Sequence, residues 1–333
     1  MNKQKVIIWG HPLHSHTHSY IHGGFKKGFE HMGLEVHWFN NEEYPDPSDF
    51  DYGNSLIITE GFDDKNLPIV DSSTYFVHCC KDPYKYLDKG VRLVDIRYNV
   101  KELNDVNYSY VFANETTTKL GACEFYQKNA STDGLNSQWV KERREYEAIY
   151  LSWATDLLPH EFNYDDMKLP RERKSYYIGS ISSSNIEQII PFAKACADAG
   201  VEFIHSDPWR TPLSWEENKL LVQKSYVAPD MRGVGLGDDN PDTGCNHLKT
   251  GYIPCRVLKN ISYGQVGMTN SPAVRDLFDG AIVYNSDTYQ LFYDTEANIT
   301  NYDLIEHQMD IVRDHHTYLN RCGSILKVYN NEV

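Results

Sequence analysis

The sequence of 333 residues lacks any apolar run of about 18 residues, the length that a membrane-spanning helix requires. The N-terminus, MNKQKVIIWG, has a basic flank, but its apolar stretch extends only from Val6 to Trp9. That stretch is too short for a signal peptide and suits a first buried strand. We therefore expect no integral membrane segment.

A regular spacing of cysteines is also missing. The seven cysteines are an odd set in which Cys79 and Cys80 are adjacent and the others are scattered. A disulfide framework has an even number of cysteines at ordered spacings, so this pattern favours free thiols. The expected location is reducing and cytoplasmic.

Basic residues are scarce relative to acidic ones. The 32 lysines and arginines face 47 aspartates and glutamates, which gives a net charge of −15. Such a surface repels phosphate backbones, so broad binding of nucleic acid or anionic membranes is not expected. A local basic pocket for one small anion is compatible with this charge.

No G-x-G-x-x-G motif follows a predicted strand, which disfavours a dinucleotide-dependent oxidoreductase.

Short apolar runs alternate with helical patterns in the first half, which is typical of a parallel sheet. Residues 5–10 are predicted as the first strand and 11–22 as a histidine-rich loop. Gly23 and Gly24 then open a helix at 25–32, Gly33 ends it, and a strand follows at 35–39. Further strands are predicted at 56–59, 74–78, 91–94 and 108–113.

The second half repeats this organisation. Residues 137–153 are charged and predicted to be helical, and the irregular segment after them, with Pro159 and Pro170, is the expected linker. The pattern then restarts at 175–181 with the apolar strand YYIG and the beginning of a serine-rich turn. A helix at 186–199 and a strand at 201–205 follow. A glycine- and aspartate-rich loop spans 231–250, and a final amphipathic helix is predicted at 302–319. We expect an α/β fold with two Rossmann-like domains, at 1–160 and 161–300, and a C-terminal segment at 301–333.

The stretch from Tyr252 to Phe278 is predicted to bind a phosphorylated ligand. Arg256 and Lys259 lie one helical turn apart and share a helix face. Gly264 ends that helix, a β-like run follows, and Asn270-Ser271-Pro272 opens the next helix with polar caps. Two cations and helix-start amides then meet at one strand end. The alternative is an ordinary α/β connection with solvated basic residues.

These features resemble the nucleotide-sugar glycosyltransferases of the GT-B fold. The resemblance rests on the N-terminal strand, the glycine pair Gly23-Gly24, the stretch from Arg256 to Gly264, and Asp287 before the terminal helices. It implies two Rossmann-like domains that face each other across a cleft, with a C-terminal helix crossing back to the first domain. At Lys259 the sequence departs from the family, which has an acidic residue there to accept hydrogen bonds from the donor ribose. A lysine cannot accept those bonds.

The resemblance also implies a donor site in the second domain. Arg256 is the predicted ligand of the leaving diphosphate because its planar fork matches phosphate oxygens. Either Lys259 adds a second phosphate contact, or recognition of the ribose has moved to another residue. Trp209 is expected as a stacking surface for the base, and Arg232 as a contact to the donor sugar. No metal and no other cofactor is expected in this fold. The remaining predicted donor contacts are Gly179, Ser180, Ser182, Asn270 and Ser271.

The general base is predicted in the first domain. His16 is the first candidate and His14 the second, because histidine titrates near neutral pH and both follow strand one. Glu60, just after the third strand, is the carboxylate alternative. Alternate histidines on an extended segment also share one side and favour a metal ion, but the sequence shows no second ligand cluster to complete such a site.

The predicted function is transfer of a sugar from a nucleoside-diphosphate donor to a hydroxyl group of a glycan or another acceptor. Two alternatives remain at this point: a nucleotide-sugar epimerase of the same fold, and a protein that binds a nucleotide sugar or glycan without turnover. The sequence does not indicate an oligomeric state.

Overall fold

The computed structural model describes residues 4–61, 63–98, 117–132, 142–182, 185–208, 210–233, 248 and 251–333. They form two compact units. Unit 1 comprises the described residues within Met1–Tyr98, Ser109–Ser152 and Tyr318–Val333, and unit 2 comprises those within Trp153–Thr317. Each helix in these ranges is too short or too polar to span a lipid bilayer.

The strands and helices of the described residues are numbered here in chain order. The strands are β1 (Lys5–Trp9), β2 (Glu35–Phe39), β3 (Ser55–Thr59), β4 (Thr74–His78), β5 (Arg92–Arg97), β6 (Thr117–Lys119), β7 (Phe125–Ser131), β8 (Glu145–Tyr150), β9 (Lys174–Ile178), β10 (Glu202–Ser206), β11 (Met268–Thr269) and β12 (Val283–Tyr284). The helices are α1 (Thr17–His31), α2 (Tyr84–Leu87), α3 (Ile186–Asp198), α4 (Trp215–Lys224), α5 (Cys255–Ser262), α6 (Pro272–Leu277), α7 (Thr288–Glu296), α8 (Tyr302–His315) and α9 (Tyr318–Tyr329).

Unit 1 is built on a sheet with the strand order β2-β1-β3-β4-β5-β8-β7-β6. Pairing is parallel from β2 to β8, and β7 and β6 extend the sheet antiparallel. Residues of β1, β3 and β4 are almost all buried, as expected for parallel strands covered on both faces. The chain adds β2 on one side of β1 and β3 on the other. The carboxyl ends of β1 and β3 therefore meet at a topological switch point, where open α/β sheets bind ligands.

Helix α1 begins before the predicted glycine pair, so the prediction that Gly23-Gly24 opens the helix was wrong. The helix starts at Thr17, and His16 caps it by accepting a hydrogen bond from the amide of His18 at 3.2 Å. Gly24 serves helix packing instead. A Cβ atom built on Gly24 would lie 2.2 Å from the ring of Tyr318 on α9, so a glycine is needed where the two helices cross.

Gly24→Ala is expected to lower the free energy of unfolding by about 1–3 kcal/mol, because the added methyl group overlaps the Tyr318 ring in a packed interior. Gly323→Ala on α9 is the matched control. No described atom lies within 4 Å of a Cβ placed there, so the alanine gains up to about 1 kcal/mol of helix propensity. Urea denaturation of both variants measures the difference. A Gly24→Ala chain as stable as the control would contradict this packing role.

The predicted helix at 137–153 was wrong where the structure describes it. Residues 145–150 form β8 between β5 and β7. The charged residues that suggested a helix are paired within the sheet: Arg92 on β5 donates from Nε and Nη2 to the two carboxylate oxygens of Glu147, each at 2.7 Å. Tyr146 and Ala148 are buried. Strand pairing and burial thus override local helix propensity. The predicted strand at 108–113 and most of the loop at 231–250 lie outside the described residues.

Unit 2 contains two parallel strand pairs, β9 with β10 and β11 with β12. Its core is apolar and combines residues from α3, α5, α7 and α8, among them Phe192, Leu258 and Phe292. Asp287 caps α7 by accepting a hydrogen bond from the amide of Tyr289 at 2.9 Å. The strand-helix-strand order predicted from the second half of the sequence is therefore present.

The C-terminal region differs from the single helix predicted at 302–319. Helix α8 ends at His315, and α9 begins at Tyr318. Ile305 and Met309 of α8 are buried in the core of unit 2, whereas α9 packs against α1 in unit 1, with the Cys322 sulfur 3.6 Å from the carbonyl oxygen of Phe25. Among the described residues, unit 1 is followed by unit 2 after Ser152, and unit 1 resumes after Thr317.

Candidate functional site

The arginine predicted to bind the diphosphate lies at the carboxyl end of a strand in unit 2. Arg256, in the first turn of α5, donates from Nε to the carbonyl of Ile178 at 2.8 Å and from Nη1 to the hydroxyl of Tyr177 at 2.9 Å. The guanidinium also lies over the Tyr177 ring, 4.3 Å from its centroid. These contacts fix the plane of the guanidinium beside the last residue of β9.

Gly179 leaves the space that Arg256 occupies. Its φ angle is +148°, and a Cβ atom built on it would lie 1.8 Å from Nη2 of Arg256. A side chain at this position would displace the guanidinium. The next residues form a tight turn around Asn185, which accepts a hydrogen bond from the amide of Ser182 at 2.9 Å and donates to the carbonyl of Ser180 at 3.0 Å. The structure thus brings Gly179, Ser180 and Ser182 to the strand end at which Arg256 lies.

A second arginine stands beside the first. Arg232 forms a buried ion pair with Asp230, and Nη1 of Arg256 lies 3.9 Å from the same carboxylate oxygen. Two guanidinium groups therefore share one carboxylate, and one positive charge is not matched by it. Asn270 holds the backbone of Arg232 by accepting from its amide at 2.7 Å and donating to its carbonyl at 2.9 Å. We call Asp230, Arg232, Arg256, Asn270 and Ser271 the arginine cluster.

Two polar atoms of the arginine cluster are buried without a hydrogen-bond partner among the described residues: Nε of Arg232 and Oγ of Ser271. Buried polar atoms are normally paired, so each of these two needs a partner that the described residues do not supply. The amide of Ser271, predicted to face a ligand from a helix start, instead donates to Oγ1 of Thr269 at 3.1 Å. The helix that follows, α6, has only six residues.

Lys259 lies in a different environment from Arg256. It is buried, and its Nζ lies 3.6 Å from Oδ1 of Asp156. The hydroxyl of Tyr263 donates to the same oxygen at 2.6 Å, and burial together with the Asp156 charge raises the pKa of Tyr263 well above its usual value. A buried carboxylate therefore accounts for the lysine without any ligand. The other predicted contact, Trp209, lies outside the described residues.

In unit 1, histidines gather around Glu60 at the carboxyl ends of β1 and β3. The carboxylate of Glu60 is buried, and its Oε1 is hydrogen-bonded to Nδ1 of His18. Nε2 of His11 lies 3.6 Å from Oε2, and Nδ1 of His16 lies 3.9 Å from Oε1. The rings of His11 and His16 stack with their centroids 4.2 Å apart. We call His11, His16, His18 and Glu60 the histidine cluster.

The charges in the histidine cluster follow from burial and pairing. Burial raises the pKa of Glu60, but the hydrogen bond and charge of His18, with smaller effects of His22 and His11, bring it below the usual value. Burial lowers the pKa of His16 to about 4, although Glu60 opposes this shift. At neutral pH the cluster therefore holds a carboxylate beside an uncharged His16 imidazole.

The sequence did not identify several residues of these sites. His18 was placed in a loop without a role, whereas the structure places it in the first turn of α1 against Glu60. His14, the second candidate base, has a φ angle of +68°, and its amide donates to Oγ of Ser19 at 3.1 Å. The signal available for His18 and His11 was their position beyond a buried strand, next to Glu60 beyond another.

Comparison with known proteins shows the fold. No family model and no curated protein matches the sequence. Among solved structures, the chain is similar to AviGT4, a glycosyltransferase involved in avilamycin A biosynthesis, with a TM-score of 0.52 and 9% identity over 99% of this chain and 98% of that chain. It is also similar to an alpha-glucosyltransferase (AGT) in complex with UDP, with a TM-score of 0.54 and 10% identity over 99% of each chain. An alpha-glucosyltransferase in complex with UDP and a 13-mer DNA containing a central A:G mismatch gives a TM-score of 0.51 and 11% identity, again over 99% of each chain.

These similarities extend over nearly the whole chain and confirm the predicted α/β architecture with two Rossmann-like units. The chain thus has the GT-B fold that the sequence analysis predicted.

Proposed function

We propose that this protein is a glycosyltransferase that uses a nucleoside-diphosphate sugar. The observation that supports this most strongly is the arginine cluster: two guanidinium groups share the carboxylate of Asp230, and a buried Arg232 nitrogen has no partner among the described residues. In a chain with a net charge of −15, this is a local site for an anion. The oxygen atoms of a diphosphate would accept the hydrogen bonds that these guanidinium groups can still donate.

Glycosyl transfer from a nucleotide sugar requires positive charge beside the leaving diphosphate, and the two arginines offer it. As the glycosidic bond to the diphosphate breaks, negative charge develops on the leaving phosphate, and preorganised cations stabilise it. We assign this role to Arg256, assisted by Arg232, and propose that no Mg²⁺ or Mn²⁺ ion is needed at the diphosphate. Gly179 keeps Arg256 in place. Similar structures include a complex with UDP, which is consistent with a nucleotide as ligand.

The acceptor hydroxyl group needs a base, and we propose that the histidine cluster provides it. His18 is better oriented than His16 to act as the base. The buried carboxylate of Glu60 is hydrogen-bonded to Nδ1 of His18, so the lone pair of the imidazole is on Nε2. His16, predicted first, has a pKa of about 4, and its Nδ1 caps α1. Glu60 then acts through His18 rather than on the acceptor directly.

We further propose a glycan or another uncharged hydroxyl compound as acceptor, since a net charge of −15 disfavours a polyanion. A reducing, cytoplasmic setting is also proposed, and six described cysteines are free thiols, in agreement with it.

The test is product analysis with UDP-, GDP- and dTDP-sugars, with and without a panel of hydroxyl acceptors. We expect release of the nucleoside diphosphate coupled to a new glycoside with at least one donor. Conversion of the free donor to its epimer without acceptor would instead identify an epimerase. Saturable donor binding with no product would identify a binding protein, and either of these outcomes would overturn the proposal.

A further inference from the structure

We propose that unit 1 binds one divalent transition-metal ion, of the zinc class, through His11, His16 and Glu60. This site is independent of the diphosphate site in unit 2, and the proposal holds whatever reaction the protein performs. The sequence offered a row of alternate histidines but no second ligand cluster. The fold supplies the missing ligand, because Glu60 follows β3 and His11 follows β1, and these strands are parallel neighbours.

The distances suit a single ion. His11, His16 and Glu60 each offer one ligand atom, and these three atoms lie within 4.8 Å of one another. Metal–ligand bonds of about 2.0–2.2 Å to nitrogen and oxygen separate ligand atoms by roughly 3–4 Å, so only small side-chain adjustments bring the three onto one ion.

Glu60 gives the second, independent indication. Its side chain is fully buried, and Oε2 has no hydrogen-bond partner among the described residues. A buried carboxylate oxygen normally has a donor or a cation beside it, since an unpaired buried charge is costly. Oε2 lies 3.6 Å from Nε2 of His11, a separation too long for a hydrogen bond and ordinary for two ligands of one ion. The other oxygen, Oε1, is occupied by His18.

His11 is oriented as metal-binding histidines usually are. Its Nδ1 lies 3.3 Å from Oδ2 of Asp63, so the carboxylate holds the Nδ1–H tautomer and the lone pair is on Nε2. That is the nitrogen that faces Glu60. Metal-bound imidazole commonly donates its other N–H group to a carboxylate in this way.

The ligand set selects the class of ion. Two imidazole nitrogens and one carboxylate suit Zn²⁺, whereas Mg²⁺ and Ca²⁺ prefer oxygen ligands. Three protein ligands leave a fourth position for water or for a hydroxyl group of a bound molecule.

A second group of potential ligands, His18, His78 and Cys79, fits an ion less well. The Cys79 sulfur lies 2.8 Å from the hydroxyl of Tyr98, Nδ1 of His18 is hydrogen-bonded to Glu60, and Nε2 of His78 lies 2.7 Å from Nε2 of His22. Each of these three side chains therefore already has a polar neighbour at a potential ligand atom. We therefore assign the ion to the group around Oε2 of Glu60.

Calorimetric titration of the chelator-treated full chain with ZnCl₂, and separately with MgCl₂, tests the proposal. We expect one equivalent of zinc and no measurable magnesium binding. His11→Ala and Glu60→Gln should each weaken zinc binding by about 100-fold, because each removes one of three ligands. His14→Asn is the control in the same loop. Asparagine tolerates the positive φ angle of this position, so zinc affinity should be unchanged.

Substitution of Co²⁺ for zinc reports on the ligands. We expect the visible spectrum of the Co²⁺-loaded protein to be that of nitrogen and oxygen ligands, without a sulfur-to-metal charge-transfer band. Cys79→Ser should leave this spectrum unchanged. A sulfur band, or zinc affinity that survives both His11→Ala and Glu60→Gln, would overturn the assignment, as would the absence of zinc binding. If circular dichroism shows that Glu60→Gln does not fold, the His11→Ala variant still tests the assignment, because His11 is partly exposed.

Discussion

Arg256→Ala is expected to lower kcat/KM for sugar transfer by about 100-fold, or about 2.7 kcal/mol. The guanidinium is fixed by Ile178 and Tyr177 beside the strand end, and alanine removes both the charge and the fork that meets the phosphates. Arg256→Lys should restore little activity, because an ammonium group cannot satisfy the carbonyl, the hydroxyl and a phosphate at once. Steady-state kinetics with the best donor measure the effect.

Arg275→Ala is the matched control for that substitution. Arg275 lies in α6 of the same unit, is partly exposed, and pairs with the neighbouring Asp276. Its removal should leave kcat/KM within about twofold, because an exposed ion pair contributes little. Equal losses in the two variants would mean that Arg256 acts only through general electrostatics or stability, and the assigned donor site would be wrong.

His18→Gln is expected to lower kcat by about 10²- to 10⁴-fold while the dissociation constant for the nucleotide stays unchanged, because a general base acts only on the acceptor. Glutamine keeps a polar side chain near Oε1 of Glu60 but cannot accept a proton at neutral pH. Single-turnover kinetics with saturating donor separate the chemical step from binding.

His37→Gln provides the comparison for His18→Gln. His37 lies on β2 and is partly exposed, and its Nε2 lies 2.7 Å from Oε1 of Glu35. It belongs to neither the arginine cluster nor the histidine cluster. Its replacement should leave kcat unchanged. A His18→Gln protein with normal kcat would refute His18 as the base, and an accompanying loss of zinc binding would point to damage of the neighbouring metal ligands instead.

The parts of the fold that were predictable from the sequence are those in which burial is continuous. The runs at β1, β3 and β4 are apolar and end at polar or glycine residues, so their limits were predicted almost to the residue. The position of Arg256 near a strand end was also predictable from the order of strands and helices, and its contacts to Ile178 and Tyr177 place it there. Its role as the ligand of the diphosphate stays a prediction.

The errors arose where long-range packing overrides local pattern. Gly23-Gly24 has the composition of a helix start, but the contact with Tyr318, distant in sequence, places Gly24 inside a helix. Residues 145–150 have the charge pattern of a helix, yet Arg92 on a neighbouring strand pairs with Glu147 and stabilises a strand. No local sequence pattern predicts either contact.

Site geometry was predictable only in part for the same reason. The sequence placed histidines and Glu60 beyond separate strands, but only the order of β1 and β3 in the sheet makes them neighbours. Lys259 illustrates the opposite case: its spacing from Arg256 suggested a second phosphate contact, whereas Asp156, far away in sequence, neutralises it.

Calorimetric titration of the protein with UDP, GDP and dTDP tests the central claim, a diphosphate site in the arginine cluster, most directly. We predict saturable binding of at least one of these nucleotides with one site per chain, strongly weakened by Arg256→Ala and retained by Arg275→Ala. Absence of binding by all three nucleotides, or equal affinity in the wild-type and Arg256→Ala proteins, would contradict it.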